Sequence, residues 1–274
     1  MHIVALIRLL LHLADGLLQC ALLFPWSGTA ARQRRIQRWS RQLIAICGVQ
    51  LTVRNLAGRD AVSPALIICN HVSWLDIFVI NSLHPCYFVA KSDIHDWPLV
   101  GWLCHQAGTI FIARGRQREV RRIYASLVRR IHDGQRVAFF PEGTTAAQGS
   151  ILPFHANLFE AAIEAGVPVQ PYVLRYLDED GSLHTAADFI GEMTFTESVL
   201  MILRHRRLHA ELIRLPAVAS AAMHRRELAQ TCRQLMITAL DARVALPEIA
   251  ALSPASGRVD NRPETKSGPT GATP

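Results

Sequence analysis

The sequence predicts an α/β fold: a central β-sheet flanked by helices, preceded by a helical membrane-associating segment at the N-terminus. Three observations carry this. Apolar runs of strand length alternate with stretches of helical period from residue 49 onward. The first 26 residues are dominated by Leu, Ile, Val and Ala. Small or charged residues close several of the apolar runs, so their polar groups are expected along one edge of a sheet.

Taken in order, Ile3 to Trp26 is about 24 residues long, and a bilayer needs roughly 20. Arg8, His12, Asp15 and Gln19 interrupt it at spacings of four, three and four, which puts them on one helical face. A polar stripe of that kind fits a helix lying in the interface or packed against a second helix. The charges, and the lack of a small-x-small cleavage site, argue against a cleaved signal peptide. Arg32, Arg34, Arg35, Arg38 and Arg41 follow, interleaved with Ile36, Trp39, Leu43 and Ile44 as a basic amphipathic helix. Such a run is ordinarily a solvated face, but next to an apolar helix it favours the cytoplasmic side and attracts anionic headgroups.

The expected strands are Val49–Arg54, Ala65–Cys69, Tyr87–Ala90, Thr109–Ile112, Val137–Phe140, Val169–Leu174 and His209–Leu215. Helical patterns cover Trp74–Leu83, Trp97–Gln106, Gln117–His132, Leu158–Ala165 and Arg225–Val244. The chain therefore divides into N-terminal helices (1–45), one α/β domain (46–246) and a tail rich in Ser, Pro, Gly and Thr (247–274) that reads as disordered.

With 274 residues, half of them apolar, the chain can bury one substantial core. A net charge of +7 and a pI near 9.5 suit an anionic partner. No zinc-finger spacing, RNA-recognition signature or aromatic-basic interleaving is present, so anionic lipid is favoured over nucleic acid. The six cysteines sit singly in apolar stretches and read as small core hydrophobes of a reducing compartment. His205 and His209 have the spacing of a metal pair on a helix. They lack a third ligand, and Leu208, Ala210 and Leu212 alternate as in a strand, so no metal is expected.

The chemistry concentrates in Asn70-His71-Val72-Ser73-Trp74-Leu75-Asp76, directly after a buried strand. His71 falls on a strand-to-helix turn, with Ser73 in position to cap the helix and Asp76 within reach of the imidazole. A carboxylate that orients a histidine lets the ring take a proton from a hydroxyl. Ser73 is better placed to cap than to act as a nucleophile. Three further blocks follow: Gly108-Thr109-Ile110-Phe111-Ile112-Ala113-Arg114, Phe140-Pro141-Glu142-Gly143-Thr144-Thr145 and Val167-Pro168-Val169-Gln170-Pro171.

In this order the four blocks resemble the lysophosphatidic acid acyltransferase (1-acyl-sn-glycerol-3-phosphate acyltransferase) family of glycerolipid acyltransferases, from about residue 50 to about residue 200. The resemblance implies a glycerolipid acyltransferase-like sheet and the transfer of a fatty acyl group from acyl-carrier protein or coenzyme A to the hydroxyl of a lysophospholipid. The first acceptor it implies is 1-acylglycerol 3-phosphate. His71 becomes the general base and Asp76 its orienting partner, with no cofactor. Arg114, Glu142, Gly143 and Thr144 become acceptor-binding residues: Arg114 through its forked guanidinium, Glu142 by orienting Arg114 or bonding an acceptor hydroxyl, Gly143 and Thr144 as donors. The implied location is the cytoplasmic face of a bacterial inner membrane. One departure bears on substrate. Many members carry Pro-Phe-Lys after the third block, whereas this chain has Pro153-Phe154-His155, and loss of the fixed cation opens lyso-ornithine lipid as an alternative acceptor. Lys91, one of two lysines in the chain, follows a strand and reads equally as a phosphate ligand or a solvated end. A lipid-binding protein without turnover would have no chemical need of His71 and Asp76. A hydrolase would leave Arg114 and the Glu-Gly-Thr turn unexplained.

Overall fold

The computed structural model describes residues 2–58, 64–97, 99–112, 117–205 and 207–241, with 117–122 described by backbone alone. Arg114 and the expected tail lie outside these residues. All seven expected strands form: β1 (Val49–Asn55), β2 (Leu66–Cys69), β3 (Tyr87–Lys91), β4 (Ile110–Ile112), β5 (Val137–Phe139), β6 (Val169–Leu177) and β7 (Leu208–Arg214). They make one sheet in the order β1-β7-β6-β2-β5-β3-β4, parallel throughout except between β6 and β7.

Strand β2 sits inside the sheet and is buried along its whole length. A parallel strand covered on both faces reads as a continuous apolar run, and Leu66-Ile67-Ile68-Cys69 does so. Its side chains alternate between two cores. Ile67 and Cys69 join residues of α1 (His2–Leu18), α2 (Thr29–Ile46), α3 (Leu75–Leu83) and α7 (Phe195–Arg204). Leu66 and Ile68 join α5 (Gln117–His132), α6 (Glu160–Ala165) and α8 (Arg225–Asp241) on the other face. The short α4 (Val100–Gln106) precedes edge strand β4. Helix α7 was not anticipated from the apolar pattern, although Thr194 and Glu197 form a reciprocal capping box at its start.

Two expectations change. Ser73 does not cap α3: the cap position is Trp74, and the Ser73 hydroxyl is buried without a hydrogen-bond partner. Asp76, in the first turn of α3, instead takes the backbone N–H groups of Val72 and Ser73. The fourth block also sits at the far edge of the sheet. Val169 begins β6 and pairs in parallel with Leu66 at the start of β2, so Val167–Pro171 lies at the opposite end from His71. Val167–Pro171 is thus the entry into β6, its prolines bracketing the start of the strand, so its polar groups do not join the edge that carries His71.

The expected boundary at 45/46 falls inside α2, whose Leu43 and Ile44 share a core with Val72 and Leu75 beside the His71 turn. Ala5 and Leu9 of α1 belong to that core too. The N-terminal helices are therefore part of the domain's packing.

Asn70 turns β2 into the site. Its side-chain amide donates to Leu174 O at 2.8 Å and its carbonyl accepts from Leu174 N at 2.8 Å, reproducing one more rung between β2 and β6 while the main chain leaves the sheet. Asn70→Ala leaves both buried Leu174 groups unsatisfied, and is expected to lower unfolding free energy by about 3 kcal/mol in denaturant titration. Asn70→Asp, which keeps only the acceptor, should fall between the two.

Candidate active site

The site lies past the C-terminal ends of β2 and β5, where an open, mostly parallel sheet leaves a crevice. The two strands are neighbours in register, Ile68 opposite Phe139. The segments that follow them, His71 and Phe140-Pro141-Glu142, are brought together by that pairing.

His71 Nδ1 lies 2.8 Å from Asp76 Oδ2. The carboxylate is fully buried and accepts three further hydrogen bonds: Val72 N at 2.7 Å and Ser73 N at 2.9 Å on Oδ2, and the Tyr176 hydroxyl at 2.8 Å on Oδ1. Burial, and secondarily the neighbouring Asp76 charge, hold the Tyr176 phenol well above its ordinary pKa, so it stays a donor. A carboxylate accepts from Nδ1–H, which leaves the lone pair on His71 Nε2. The ring is stacked on Phe140 with centroids 3.8 Å apart and planes 7° from parallel. Its side chain keeps 19% exposure, so the open nitrogen can meet a substrate.

The backbone of His71 is held from both sides by the third block and the residue that follows it. Glu142 Oε1 accepts from His71 N at 2.9 Å, and Ala146 N donates to His71 O at 2.8 Å. Glu142 Oε2 accepts from Leu152 N at 2.9 Å. Burial raises the Glu142 carboxyl above its usual range, while the two backbone N–H groups pull it back down. Both carboxylate oxygens thus serve the scaffold, a role the sequence did not suggest.

Gly143 has φ +68°, and a Cβ there would come within 3.0 Å of the His155 ring. The position needs glycine on both counts. His155 N also donates to Pro141 O at 2.8 Å, so the exposed His155 ring lies over the Glu-Gly-Thr turn. Thr144 is exposed on that turn, and the Thr145 hydroxyl donates to Phe189 O. Lys91 is exposed at the end of β3 on the same edge of the sheet. The structure therefore joins His71, Asp76 and Glu142 in one network and sets Gly143, Thr144 and His155 beside it. Ser73 Oγ is buried and makes no bond to His71. His205 ends α7, whereas His209 is on β7, and the alternation of Leu208, Ala210 and Leu212 is that of a strand.

Sequence reading missed Tyr176. Its one signal was strand parity: Tyr172, Leu174 and Tyr176 share a face of β6, and all three fall in the core that contains Val72 and Leu75.

A family model described as Acyltransferase matches residues 50–175. The lyso-ornithine lipid O-acyltransferase of Pseudomonas aeruginosa is 37% identical over 212 residues, 77% of this chain and 80% of that protein. The chain belongs to the acyltransferase family. The 1-acyl-sn-glycerol-3-phosphate acyltransferase of Neisseria gonorrhoeae is 44% identical over a shorter stretch of 151 residues, 55% of this chain and 59% of that protein. A crystal structure of the 1-acyl-sn-glycerophosphate (LPA) acyltransferase from Thermotoga maritima superimposes with a TM-score of 0.62 at 18% identity, covering 90% of this chain and all of that one. At that identity the likeness is one of fold, a helix-flanked sheet of the kind expected for a glycerolipid acyltransferase.

In this acyltransferase, Glu142→Gln tests the brace. An amide offers its oxygen to one of the two backbone N–H groups and turns its own N–H at the other. Displacement of His71 should lower kcat by at least about tenfold, with the acceptor KM little changed in steady-state kinetics. A raised acceptor KM at constant kcat would instead return Glu142 to the acceptor.

Proposed function

We propose that this acyltransferase moves a fatty acyl group from a thioester, of acyl-carrier protein or coenzyme A, to the free hydroxyl of a lyso-lipid. The observation that carries the reading is the Asp76–His71 pair, with Nδ1 anchored at 2.8 Å and Nε2 open. His71 Nε2 takes the hydroxyl proton as the oxygen attacks the thioester carbonyl, and Asp76 stabilises the imidazolium. The proton then passes to the departing thiolate. No acyl-enzyme is needed, in keeping with the buried Ser73 hydroxyl. Gly143, Thr144 and Arg114 are assigned to the acceptor headgroup.

Lyso-ornithine lipid is the acceptor we favour. The Pseudomonas aeruginosa relative that carries this name matches over most of both chains. The exposed His155 occupies a position where a fixed cation would suit a phosphate monoester. An ornithine headgroup already carries its own ammonium beside its carboxylate and needs less positive charge from the protein. The second reading, 1-acyl-sn-glycerol 3-phosphate, is supported by 44% identity to the gonococcal enzyme over 151 residues.

We also assign the enzyme to the membrane surface, at the cytoplasmic face. Residues His2–Leu23 have mean hydropathy 1.7, long and apolar enough to cross a membrane. Yet Ala5, Leu9, His12 and Gly16 are buried along one edge of α1, and His2 Nδ1 lies 3.3 Å from Leu203 O on α7. A helix fastened lengthwise to the catalytic domain lies in the interface. Its other side, with Ile3, Val4, Ile7 and Leu10 more than half exposed, meets the acyl chains.

His71→Ala is expected to lower kcat by about 10² to 10⁴ without changing the melting temperature. Retention of more than half the activity by a folded variant would remove His71 from catalysis. Purified enzyme assayed on both lyso-lipids, with each donor, decides the acceptor. His155→Lys should raise the ratio of kcat/KM for 1-acylglycerol 3-phosphate over lyso-ornithine lipid by about tenfold, the worth of one charge-assisted hydrogen bond. An unchanged ratio would detach His155 from headgroup selection.

A further inference from the structure

Away from the catalytic turn, α1 and α2 enclose a cleft of about 1010 Å³. Its walls carry Arg8 from α1 and Arg34, Arg35 and Arg38 from α2, against a single carboxylate, Asp15, whose Oδ2 accepts from Gln19 Nε2 at 2.7 Å. The three α2 arginines fall on one stripe at helical spacing. Other basic residues of the same helix are spent on structure: Arg32 donates to Ser27 O and lies over the Phe24 ring, and Arg41 donates to Ser82 O. The four cleft arginines make no ion pair or hydrogen bond among the described residues.

The helices cannot move apart to relieve this like-charge crowding. Trp39 Nε1 donates to His12 O at 3.0 Å, and His12 Nε2 lies 3.0 Å from Trp39 O. The two rings stack at 4.4 Å. Gly16 lets Trp39 approach, since a Cβ there would meet Trp39 Nε1 at 2.8 Å. This clasp fixes two arginine-bearing walls at a set separation. A fixed concave site lined by forked guanidinium groups is matched to the oxygens of a phosphate.

We propose that the α1–α2 cleft binds the phosphodiester headgroup of an anionic phospholipid of the bilayer, at a site separate from the acyl acceptor's. The proposal rests on the interfacial placement of α1. A helix whose outer side enters the acyl region holds its polar side, and hence the cleft, at headgroup level. Trp26, 90% exposed after the π-helical turn Gln19–Leu23 that continues α1, suits the same depth. The enzyme would thereby sense membrane charge at a position that leaves its catalytic crevice free.

The test is co-sedimentation of the full-length protein with vesicles of phosphatidylcholine alone or doped with phosphatidylglycerol, at fixed ionic strength. Wild type should prefer the doped vesicles. A basic residue near an anionic surface is worth about fivefold in partitioning, so Arg34→Gln/Arg38→Gln should cut the preference by about 25-fold. Arg34→Lys/Arg38→Lys, which keeps the charge and loses the fork, should cut it about threefold or more. Arg204→Gln/Arg226→Gln, at exposed positions on α7 and α8, should leave it unchanged, and inorganic phosphate should not compete. Melting temperatures confirm that each variant folds. Full preference in the lysine pair, or equal loss in the α7/α8 pair, overturns the proposal in favour of diffuse attraction, and displacement by inorganic phosphate overturns it in favour of a free anion. Equal binding of wild type to both vesicles overturns the cleft while leaving the interfacial helix standing. Binding to neither overturns both.

Discussion

The buried carboxylate of Asp76 is the constraint on which the site depends. An ion without access to water is tolerable only where donors surround it. Here those donors come from the turn after β2, from His71 itself and from Tyr176 on β6. The same contacts that satisfy the charge fix the turn, choose the imidazole tautomer and tie two strands of the sheet to one point. Geometry and electrostatics are thus met by a single group, and no member of the set can move without exposing the others' cost.

Glu142 extends this logic to the neighbouring strand. It is a second buried carboxylate, satisfied by backbone N–H groups, and it anchors the backbone of His71. Because β2 and β5 are adjacent and parallel, the two segments that follow them emerge side by side. Sheet register, set by apolar burial far from solvent, thereby decides the distance between a histidine and its support.

Much of this was legible in the sequence. The seven strands announced themselves as apolar runs, and the His-x4-Asp spacing pointed to a pair that the structure brings into contact. What was not legible depended on direction and on partners distant in the chain. The Val167–Pro171 block looks the same whether it ends a strand or begins one, and only the parallel pairing of β6 with β2 sends it to the far edge. Tyr176 is 100 residues from Asp76, and a tyrosine on a buried strand face carries no local mark of what its hydroxyl will meet. Glu142 sat in a turn that suggested solvent and substrate, whereas its oxygens face backbone that no spacing rule connects to it.

The packing of the N-terminal helices bears on the order in which the molecule is made. Helix α1 leaves the ribosome before the elements it packs on, yet His2 finds Leu203 only after 201 further residues have been synthesised, and α2 must wait for α3. Contacts of such long sequence separation form late. Throughout that interval the side of α1 that packs on the domain has no protein to cover it, and on the interfacial placement proposed for this helix a lipid bilayer would cover it. Assembly would then start from the membrane, the sheet condensing onto helices that are already in place.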